Sequence, residues 1–463
     1  MRIVRGADEG RRTLLRRQPL GETGLPAAIR AKNAAIFGAE LSVEDQVRRV
    51  LKDVRRDGDA ALTRYSKAFA GIDRASFEVP QVEIDAAYKY VDAELVEALR
   101  EAAEHIRTYH EVQLAHSSRS FSDRGVGMQV RAIERVGMYV PTSEGAVYPS
   151  SVLMTGIPAK VAGVEELIMM SPAARDGVVS PLKLVAADIA GVDRVFAAGG
   201  AEAIGALAYG TQTVPRVDKI VGPGNIFVTV AKREVFGSVG IDALYGPSET
   251  IVIADETANP VFAAADLLAQ AEHDALATPI LIATSMAIAE AIGLEVERQL
   301  QLLDRQEIAR ASLEARGGAV IVASVEEAVT LGSEFAPEHM CLLVRDAAAV
   351  AKAVRNAGGI FVGEDAPESL GDYTAGPSHV MPTSGAARYA SPLGVHDFLK
   401  VTSVVAVDAA RLREAGPAAA LIARAEGFTA HARSIELRLQ GGERDLTTGP
   451  FPLGKGKAEG AAT

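Results

Sequence analysis

The chain has 463 residues, of which 48% are hydrophobic and 23% are charged, and its formal net charge is −12. These values predict a soluble globular protein with more than one domain. The acidic balance excludes a general nucleic-acid binder, because phosphates need a basic surface, and it is compatible with a small cationic substrate. The single Cys excludes an internal disulfide and a Cys-based zinc cluster, and it favours the cytoplasm. We expect no signal peptide and no membrane segment, since no apolar run reaches the roughly 18 residues of a span.

The N-terminal part of the chain shows helical patterning. Residues 1–40 mix Arg and Gly with weak periodicity and are interpreted as an N-terminal arm. Ser42 begins a capping box, and an apolar stripe that predicts a helix follows it at Val47, Val50, Leu51 and Val54. We expect residues 41–125 to form a helical segment that packs on the second of two α/β units.

From residue 130 onward, apolar strands alternate with helices, which indicates parallel sheets covered on both faces. The predicted fold class is α/β, with two tandem, incomplete Rossmann-like units at 130–240 and 245–385. The second unit ends in a long Gly/Pro/Ser-rich loop at 363–385, and loops of that length are usually functional or disordered. Residues 386–440 are expected to form a small C-terminal helical domain, and 441–463 a flexible tail.

Two Gly-rich turns follow strands of the first unit, at Gly199-Gly200 and at Gly222-Pro223-Gly224-Asn225. Open sheets bind ligands at the carboxyl ends of their strands, and N–H groups at helix starts favour phosphates. The alternative is that these residues only make tight turns. The pair favours a nucleotide site without identifying the nucleotide, because no Gly-x-Gly-x-x-Gly fingerprint accompanies it.

Residues Gln270-Ala271-Glu272-His273 close a predicted amphipathic helix that begins near Asn259. Residues three apart share a helix face, so Gln270 and His273 could form half of a zinc site. The alternative is an ordinary polar helix end. Asp372, in the long loop, and His431, near the C-terminus, are candidates for the missing ligands.

Pro337-Glu338-His339 precedes another apolar strand. A carboxylate beside an imidazole supplies two proton-transfer groups near neutral pH. Both reach one substrate only if the backbone turns, which Ala336-Pro337 permits; the alternative is a polar pair at a strand edge. Ser248 places a hydroxyl just before the first strand of the second unit and is a further candidate for the site. The alternative is that it belongs to an ordinary loop-to-strand junction.

From about Ser42 to Leu439 the chain resembles the histidinol dehydrogenase family. The motifs that carry the resemblance are Val136-Gly-Met-Tyr-Val-Pro141, Tyr148-Pro-Ser-Ser-Val-Leu-Met154, Val217-Asp-Lys-Ile-Val-Gly-Pro-Gly-Asn225, Gly246-Pro-Ser-Glu249, Gln270-Ala-Glu-His273, Pro337-Glu-His339, Leu370-Gly-Asp-Tyr373, His379-Val-Met-Pro-Thr383 and Ala425-Glu-Gly-Phe-Thr-Ala-His431.

The resemblance implies a cytoplasmic, zinc-dependent homodimer that uses NAD to oxidise L-histidinol through histidinal to L-histidine, the last step of histidine biosynthesis. It implies that Glu338 and His339 form the acid–base pair. The implied zinc ligands are Gln270, His273, Asp372 and His431. The implied NAD contacts are Tyr139, Glu202 and Asn225. The implied substrate contacts are Ser248, Gln270, His273, His339, Asp372, Glu426 and His431. The domain at 386–440 would contact the partner, whose Glu426 and His431 would complete a shared site.

Three departures from the family pattern concern the surroundings of the cofactor and the substrate. Thr142-Ser143-Glu144-Gly145 replaces a Gly-Gly pair and adds one residue, Glu202 replaces a Gln, and Tyr245 replaces a small residue. A carboxylate at position 202 could accept from a ribose hydroxyl, would repel the extra phosphate of NADP, and could weaken binding of the pyrophosphate.

Two alternatives to histidinol oxidation stay open. The first is a paralogue that oxidises another small alcohol, such as a sulfonated diol. Glu426 favours an ammonium-bearing substrate over a sulfonate. The second is a non-catalytic, zinc-dependent scaffold, against which the retained ligand positions and Glu338-His339 argue. Cys341 could form a thiohemiacetal, but packing in a buried strand is the preferred interpretation.

Overall fold

The computed structural model describes residues 1–17, 27–72, 74, 76–143, 146–174 and 176–441. These residues divide into two compact units. The first contains residues 1–116 and 132–398, and the second contains 117–131 and the chain from 399 onward. Glu144, Gly145 and the predicted tail beyond Gly441 lie outside the described residues.

The N-terminal part of the first unit is largely helical. Its elements are β1 (Ile3–Arg5), α1 (Ala7–Arg12), α2 (Ala27–Phe37), α3 (Val43–Asp57), α4 (Asp59–Ala70), β2 (Glu78–Val79), α5 (Gln81–Ala87) and α6 (Ala93–Ala115). The predicted start of α3 is confirmed, because the Ser42 hydroxyl accepts a hydrogen bond from the Asp45 N–H at 3.1 Å. The apolar stripe behind this cap is buried as expected.

The first of two large sheets follows in the chain. After β3 (Phe121–Asp123) and β4 (Val126–Ala132), its elements and flanking segments are β5 (Arg135–Tyr139), β6 (Thr142–Ser143), β7 (Ala146–Val147), α7 (Pro149–Ala162), β8 (Glu166–Met170), α8 (Pro181–Ala190), β9 (Arg194–Phe196), α9 (Gly200–Tyr209), β10 (Lys219–Val221), α10 (Ile226–Val235) and β11 (Gly240–Ile241). The strand order is β11-β10-β5-β8-β9-β2. Neighbouring strands are parallel except β2, which runs antiparallel to β9.

The second large sheet is parallel throughout. It is built from β12 (Glu249–Ala254), α11 (Pro260–Ala271), β13 (Thr278–Ala283), α12 (Met286–Leu300), α13 (Gln306–Ala315), β14 (Gly318–Ile321), α14 (Val325–Phe335), β15 (His339–Leu343), α15 (Ala347–Ala351), β16 (Gly359–Val362) and α16 (Glu368–Tyr373). Its strand order is β1-β14-β13-β12-β15-β16. The predicted α/β class with mostly parallel sheets is therefore confirmed. Without the edge strands β2 and β1, and counted from β5 and from β12, the two sheets have the order 3-2-1-4-5, which begins the doubly wound arrangement.

The N-terminal part packs differently from expectation. The predicted arm begins as a strand of the second sheet, because β1 pairs in parallel with β14, with Ile3 opposite Ala319. The helical segment does not pack on the second sheet: α3 and α4 contact α9, and α5 and α6 contact α8 of the first sheet. An amphipathic stripe shows that a helix buries one face, but it carries no information about which sheet covers that face.

The end of the chain also differs from expectation. The predicted long loop contains the helix α16, and residues 386–398 belong to the first unit. The second unit contains β17 (Leu399–Val405), α17 (Ala409–Ala425) and α18 (Thr429–Gln440), and β17 pairs with β4 in the sheet β17-β4-β3. The C-terminal domain is thus not purely helical.

Among the described residues, no helix has the length and apolar character that crossing a membrane requires.

Candidate functional site

One cavity of about 1220 Å³ lies in the first unit, and the two large sheets present opposite ends to it. The first sheet contributes residues from its carboxyl edge: Tyr139 ends β5, and Gly199-Gly200 and Pro223-Gly224-Asn225 follow β9 and β10. The second sheet contributes residues from its amino edge, where Glu249 begins β12 and His339 begins β15. Open α/β sheets ordinarily bind ligands at their carboxyl edges, so only the first sheet follows that rule.

The carboxyl edge of the first sheet is built mainly from backbone. The N–H of Gly200, the first residue of α9, donates to the Tyr139 hydroxyl at 3.1 Å. Gly222 has a φ of +103°, and a Cβ there would clash with the Tyr139 carbonyl oxygen. The Asn225 Oδ1 caps α10 by accepting from the N–H groups of Phe227 and Val228 at 3.1 and 3.2 Å. These turns expose helix N-termini of the kind that bind phosphates.

Glu202 lies at the same edge, in the first turn of α9, and its side chain is buried. Burial raises the pKa of its carboxyl to about 8. Within the described residues, its Oε2 atom has no hydrogen-bond partner. Because a buried charge with an unpaired oxygen is costly, burial favours the protonated form of Glu202.

Lys183 is a further buried ion at this edge that sequence reasoning missed. Its ammonium donates to the Pro141 carbonyl, to the Thr142 Oγ1 at 2.8 Å and to the Ser171 Oγ at 3.0 Å. Burial lowers its pKa to about 7. The lysine anchors the start of the β6–β7 hairpin, where the sequence departs from the family pattern. The available signal was a lysine among the apolar residues of the first turn of α8.

At the amino edge of the second sheet, Gln270 and His339 form a buried pair. The His339 Nδ1 donates to the Gln270 Oε1 at 2.9 Å, which fixes the imidazole tautomer with its lone pair on Nε2. Burial, and then the charges of His273 and His379, lower the pKa of His339 to about 3. Its Nε2 is buried and has no partner among the described residues. The structure therefore holds a neutral imidazole with a free acceptor atom at the cavity.

Glu338 lines the cavity beside His339. Its Oε2 accepts from the Glu249 N–H at 3.1 Å. Burial, aided by the carboxylates of Glu249, Asp372 and Glu368, raises the pKa of Glu338 well above its ordinary value, although the bond from Glu249 opposes the shift. The predicted backbone turn is present, because Ala336 has a φ of +53°.

His273 and Asp372 meet on another side of the cavity. The helix α11 ends at Ala271, and His273 lies in the turn that follows it, where its N–H donates to the Gln270 carbonyl oxygen at 3.3 Å. The His273 Nε2 is 4.0 Å from the Asp372 Oδ2. Burial raises the pKa of Asp372 to about 7. His379 donates from Nδ1 to the Asp372 carbonyl oxygen at 2.8 Å.

His273 and Asp372 lie close enough to be compared with the ligands of a zinc ion. Two ligand atoms on one tetrahedral zinc ion lie about 3.4 Å apart, so the 4.0 Å between His273 and Asp372 fits a metal with a small adjustment. In the described part of the chain, no three His, Cys, Asp or Glu side chains are grouped to hold a metal. Gln270 supplies a third oxygen, which His339 holds by a hydrogen bond. The donor types suit zinc, and the set needs one more ligand.

The remaining predicted residues belong to the second unit. Glu426 is the C-cap of α17, and His431 lies in the first turn of α18. Both are exposed, and the His431 and Phe428 ring centroids are 5.2 Å apart. Among the predicted residues of the first unit, Tyr139, Glu202, Asn225, Ser248, His273, Glu338, His339 and Asp372 line the one cavity, and Gln270 lies buried behind it.

Glu368, also missed from the sequence, lies buried behind His339. Its Oε2 accepts from the Thr250 hydroxyl at 2.7 Å and from the Cys341 thiol at 3.6 Å, and it is 4.0 Å from the His339 Nδ1. Burial, reinforced by the Glu368 carboxylate, raises the pKa of the Cys341 thiol well above its ordinary value. A buried, protonated thiol is a weak nucleophile, which supports the packing interpretation of Cys341.

Comparisons with known proteins agree with this geometry. A family model described as histidinol dehydrogenase matches residues 38–439. Histidinol dehydrogenase from Moorella thermoacetica is 50% identical over 86% of this chain and 95% of its own length. The protein of that name from Deinococcus radiodurans is 47% identical over 95% of this chain and 100% of its own length. The crystal structure of histidinol dehydrogenase from Elizabethkingia anophelis superposes with a TM-score of 0.85 at 33% identity, covering 95% of this chain and 98% of that one. The chain belongs to the histidinol dehydrogenase family.

Proposed function

We propose that this protein oxidises L-histidinol through histidinal to L-histidine, the last step of histidine biosynthesis, in the cytoplasm. Family membership supports the substrate, and one observation in the site carries the chemistry. His339 is a neutral imidazole whose Nδ1 is engaged by Gln270 and whose buried Nε2 has no partner among the described residues. Such a nitrogen can accept a hydrogen bond from the hydroxyl of an alcohol, which is the geometry that a general base needs.

The reaction has two oxidation steps, and each needs a group that accepts a proton. The His339 Nε2 takes the hydroxyl proton as the alcohol becomes an aldehyde. Glu338, one residue away and also at the cavity, takes a proton from the water that hydrates the aldehyde. Burial raises the pKa of Glu338, which makes its ionised carboxylate a stronger base than an exposed one. Ser248, which lines the same cavity, orients the substrate.

The carboxyl edge of the first sheet is the proposed NAD site, with Tyr139, Glu202 and Asn225 as contacts. The N-termini of α9 and α10 face the pyrophosphate in this proposal, because the positive end of a helix dipole favours anions. NAD, when bound, supplies the hydride acceptor for both oxidations. The neutral Glu202 accepts or donates at a ribose hydroxyl without repelling the cofactor.

Zinc is proposed to bind Gln270, His273, Asp372 and His431, and when bound it clamps and orients the substrate. In this proposal the enzyme is a homodimer, and Glu426 and His431 come from the second copy. Glu426 pairs with the substrate ammonium. The second unit supports this arrangement, because it exposes apolar side chains that a partner could cover. They include Val401, Val405, Leu421, Ile422, Phe428 and Leu437.

The decisive experiment is NADH formation by zinc-loaded protein with histidinol, histidinal or dihydroxypropanesulfonate. We expect two NADH for each histidinol, one for each histidinal and none with the sulfonate. Oxidation of the sulfonate alone would overturn the proposal in favour of a paralogous activity. Bound zinc without NADH formation from any alcohol would favour a non-catalytic scaffold.

A further inference from the structure

Arg17 lies in the N-terminal segment after α1, outside the residues that the family model matches. Its guanidinium forms a two-pronged ion pair with Glu249, in which Nη1 bonds Oε1 and Nη2 lies 2.9 Å from Oε2. The same group donates from Nε to the Phe335 carbonyl oxygen at 3.1 Å. It also donates from Nη2 to the carbonyl oxygens of Phe335 and Ala336 at 2.7 and 3.1 Å. One partly buried side chain thus joins the N-terminal segment, β12 and the end of α14.

The groups that Arg17 bonds are also the groups that hold Glu338 in place. The carbonyl groups of Phe335 and Ala336 belong to the left-handed turn that leads into Pro337 and Glu338. The N–H of Glu249 is the hydrogen-bond donor to the Glu338 carboxyl. Arg17 therefore holds both the backbone that carries Glu338 and the strand that binds its carboxyl.

The charge and shape of Arg17 suit this position. Glu249 is 6% exposed, and a buried carboxylate this close to Glu338 is costly without a cation. The guanidinium carbon lies 3.8 Å from the centroid of the Phe335 ring, and this stacking fixes the plane of the guanidinium group. A lysine would keep the positive charge but would lose the planar set of N–H donors and the stacking. It would therefore bond either the carboxylate or the carbonyl groups, but not both.

We propose that Arg17 is a positioning residue for Glu338, which it holds at the cavity through Glu249 and through the turn at Ala336. The inference rests on the proposed function, in which Glu338 handles the proton of the hydrating water. Arg17 does not touch the proposed NAD turns of the first sheet. Its loss is therefore expected to lower turnover in the aldehyde step while leaving the KM for NAD unchanged.

The test is a double-mutant cycle with Arg17→Met and Glu338→Gln, measured as NADH formation from histidinal. Misplacement of a reacting group by about 1 Å costs up to about 100-fold, so we expect Arg17→Met to lower kcat by 10- to 100-fold. In the Glu338→Gln background the same change should have almost no further effect. Equal losses in both backgrounds would overturn the proposal, because they would show that Arg17 acts independently of Glu338.

Arg11→Met is the matched control. Arg11 connects the same N-terminal segment to the same end of α14, through an exposed pair with Glu334 at 2.7 Å, but it bonds neither the turn nor Glu249. We expect kcat within about two-fold of the parent, since exposed pairs contribute little. Equal losses in Arg11→Met and Arg17→Met would also overturn the proposal. The kcat of Arg17→Lys should lie between those of Arg17→Met and the parent. If Arg17→Met does not fold, Arg17→Lys replaces it in the double-mutant cycle. A parent protein that forms no NADH from histidinol or histidinal would refute the proposed function instead.

Discussion

The two edges that form the cavity come from sheets with the same strand order, yet they are built in different ways. The carboxyl edge of the first sheet consists mostly of backbone, with glycine turns at Gly200 and Gly222 and exposed helix starts. The amino edge of the second sheet consists of buried titratable side chains, such as Glu338 and His339. Backbone N–H groups can bind any phosphate, whereas a buried side chain with one fixed partner suits one reaction. This difference supports the proposal that NAD binds at the first edge and that proton transfer takes place at the second.

The largest effect should come from His339 at the second edge. His339→Ala removes the free Nε2 acceptor, and we expect kcat for histidinol to fall by about 10²- to 10⁴-fold. Zinc content, measured by metal analysis, should stay near the parent value, because His339 is not a proposed ligand. His431→Ala should lose zinc. If both variants keep their zinc, the ligand assignment is wrong.

A smaller effect, of a different kind, is expected at the first edge. Gly222→Ala introduces a Cβ against the Tyr139 carbonyl oxygen, so we expect the KM for NAD to rise at least several-fold while the zinc content is unchanged. Gly237→Ala is the control, because Gly237 also has a positive φ, of +96°, but has open space around it. Both variants should lose about 1–2 kcal/mol of stability from backbone strain. Only Gly222→Ala should alter the KM for NAD; an equal change in the control would contradict the assignment of this edge.

Lys183 should make stability depend on pH. Its native pKa is about 7, below the ordinary lysine value, so the unfolded chain binds more protons than the native one between about pH 7 and 10. The free energy of unfolding should therefore rise with pH in that window, by at most about 1.4 kcal/mol per pH unit from this residue. Denaturant unfolding at several pH values should show this slope in the parent and not in Lys183→Met. Lys160→Met, which removes a more exposed ammonium paired with Asp193, should keep the slope.

The smallest effect is expected for Glu202→Gln. With a pKa of about 8, the Glu202 carboxyl is neutral at pH 7 and resembles the amide, so the KM for NAD should differ by less than about two-fold there. Above pH 8 the parent gains a negative charge beside the proposed pyrophosphate site. The KM for NAD should then rise in the parent but not in the variant. A pH-independent difference between them would show that charge is not the cause.

Local chemistry made much of this fold predictable. The cap at Ser42 and the amphipathic pattern after Asn259 predicted helix starts, and the apolar runs predicted the strands of both sheets. The turn at Ala336 followed from the need to bring two adjacent side chains to one place. These features depend on a few neighbouring residues, so a local pattern is sufficient to predict them. The motifs that carry the family resemblance also contain seven of the eight predicted residues that line one cavity, and the eighth, Glu202, was named as a departure from the family pattern.

The tertiary structure alone decided which distant groups meet. It placed α3 on the first sheet, paired Gln270 with His339, and put Glu368 behind that imidazole. It also brought Arg17 to the turn before Glu338, across more than 300 residues of chain. An apolar stripe or a polar side chain in a sequence shows that some other group must cover it or bond it. The sequence does not show which group, because any group that the packed sheets bring within reach can do so.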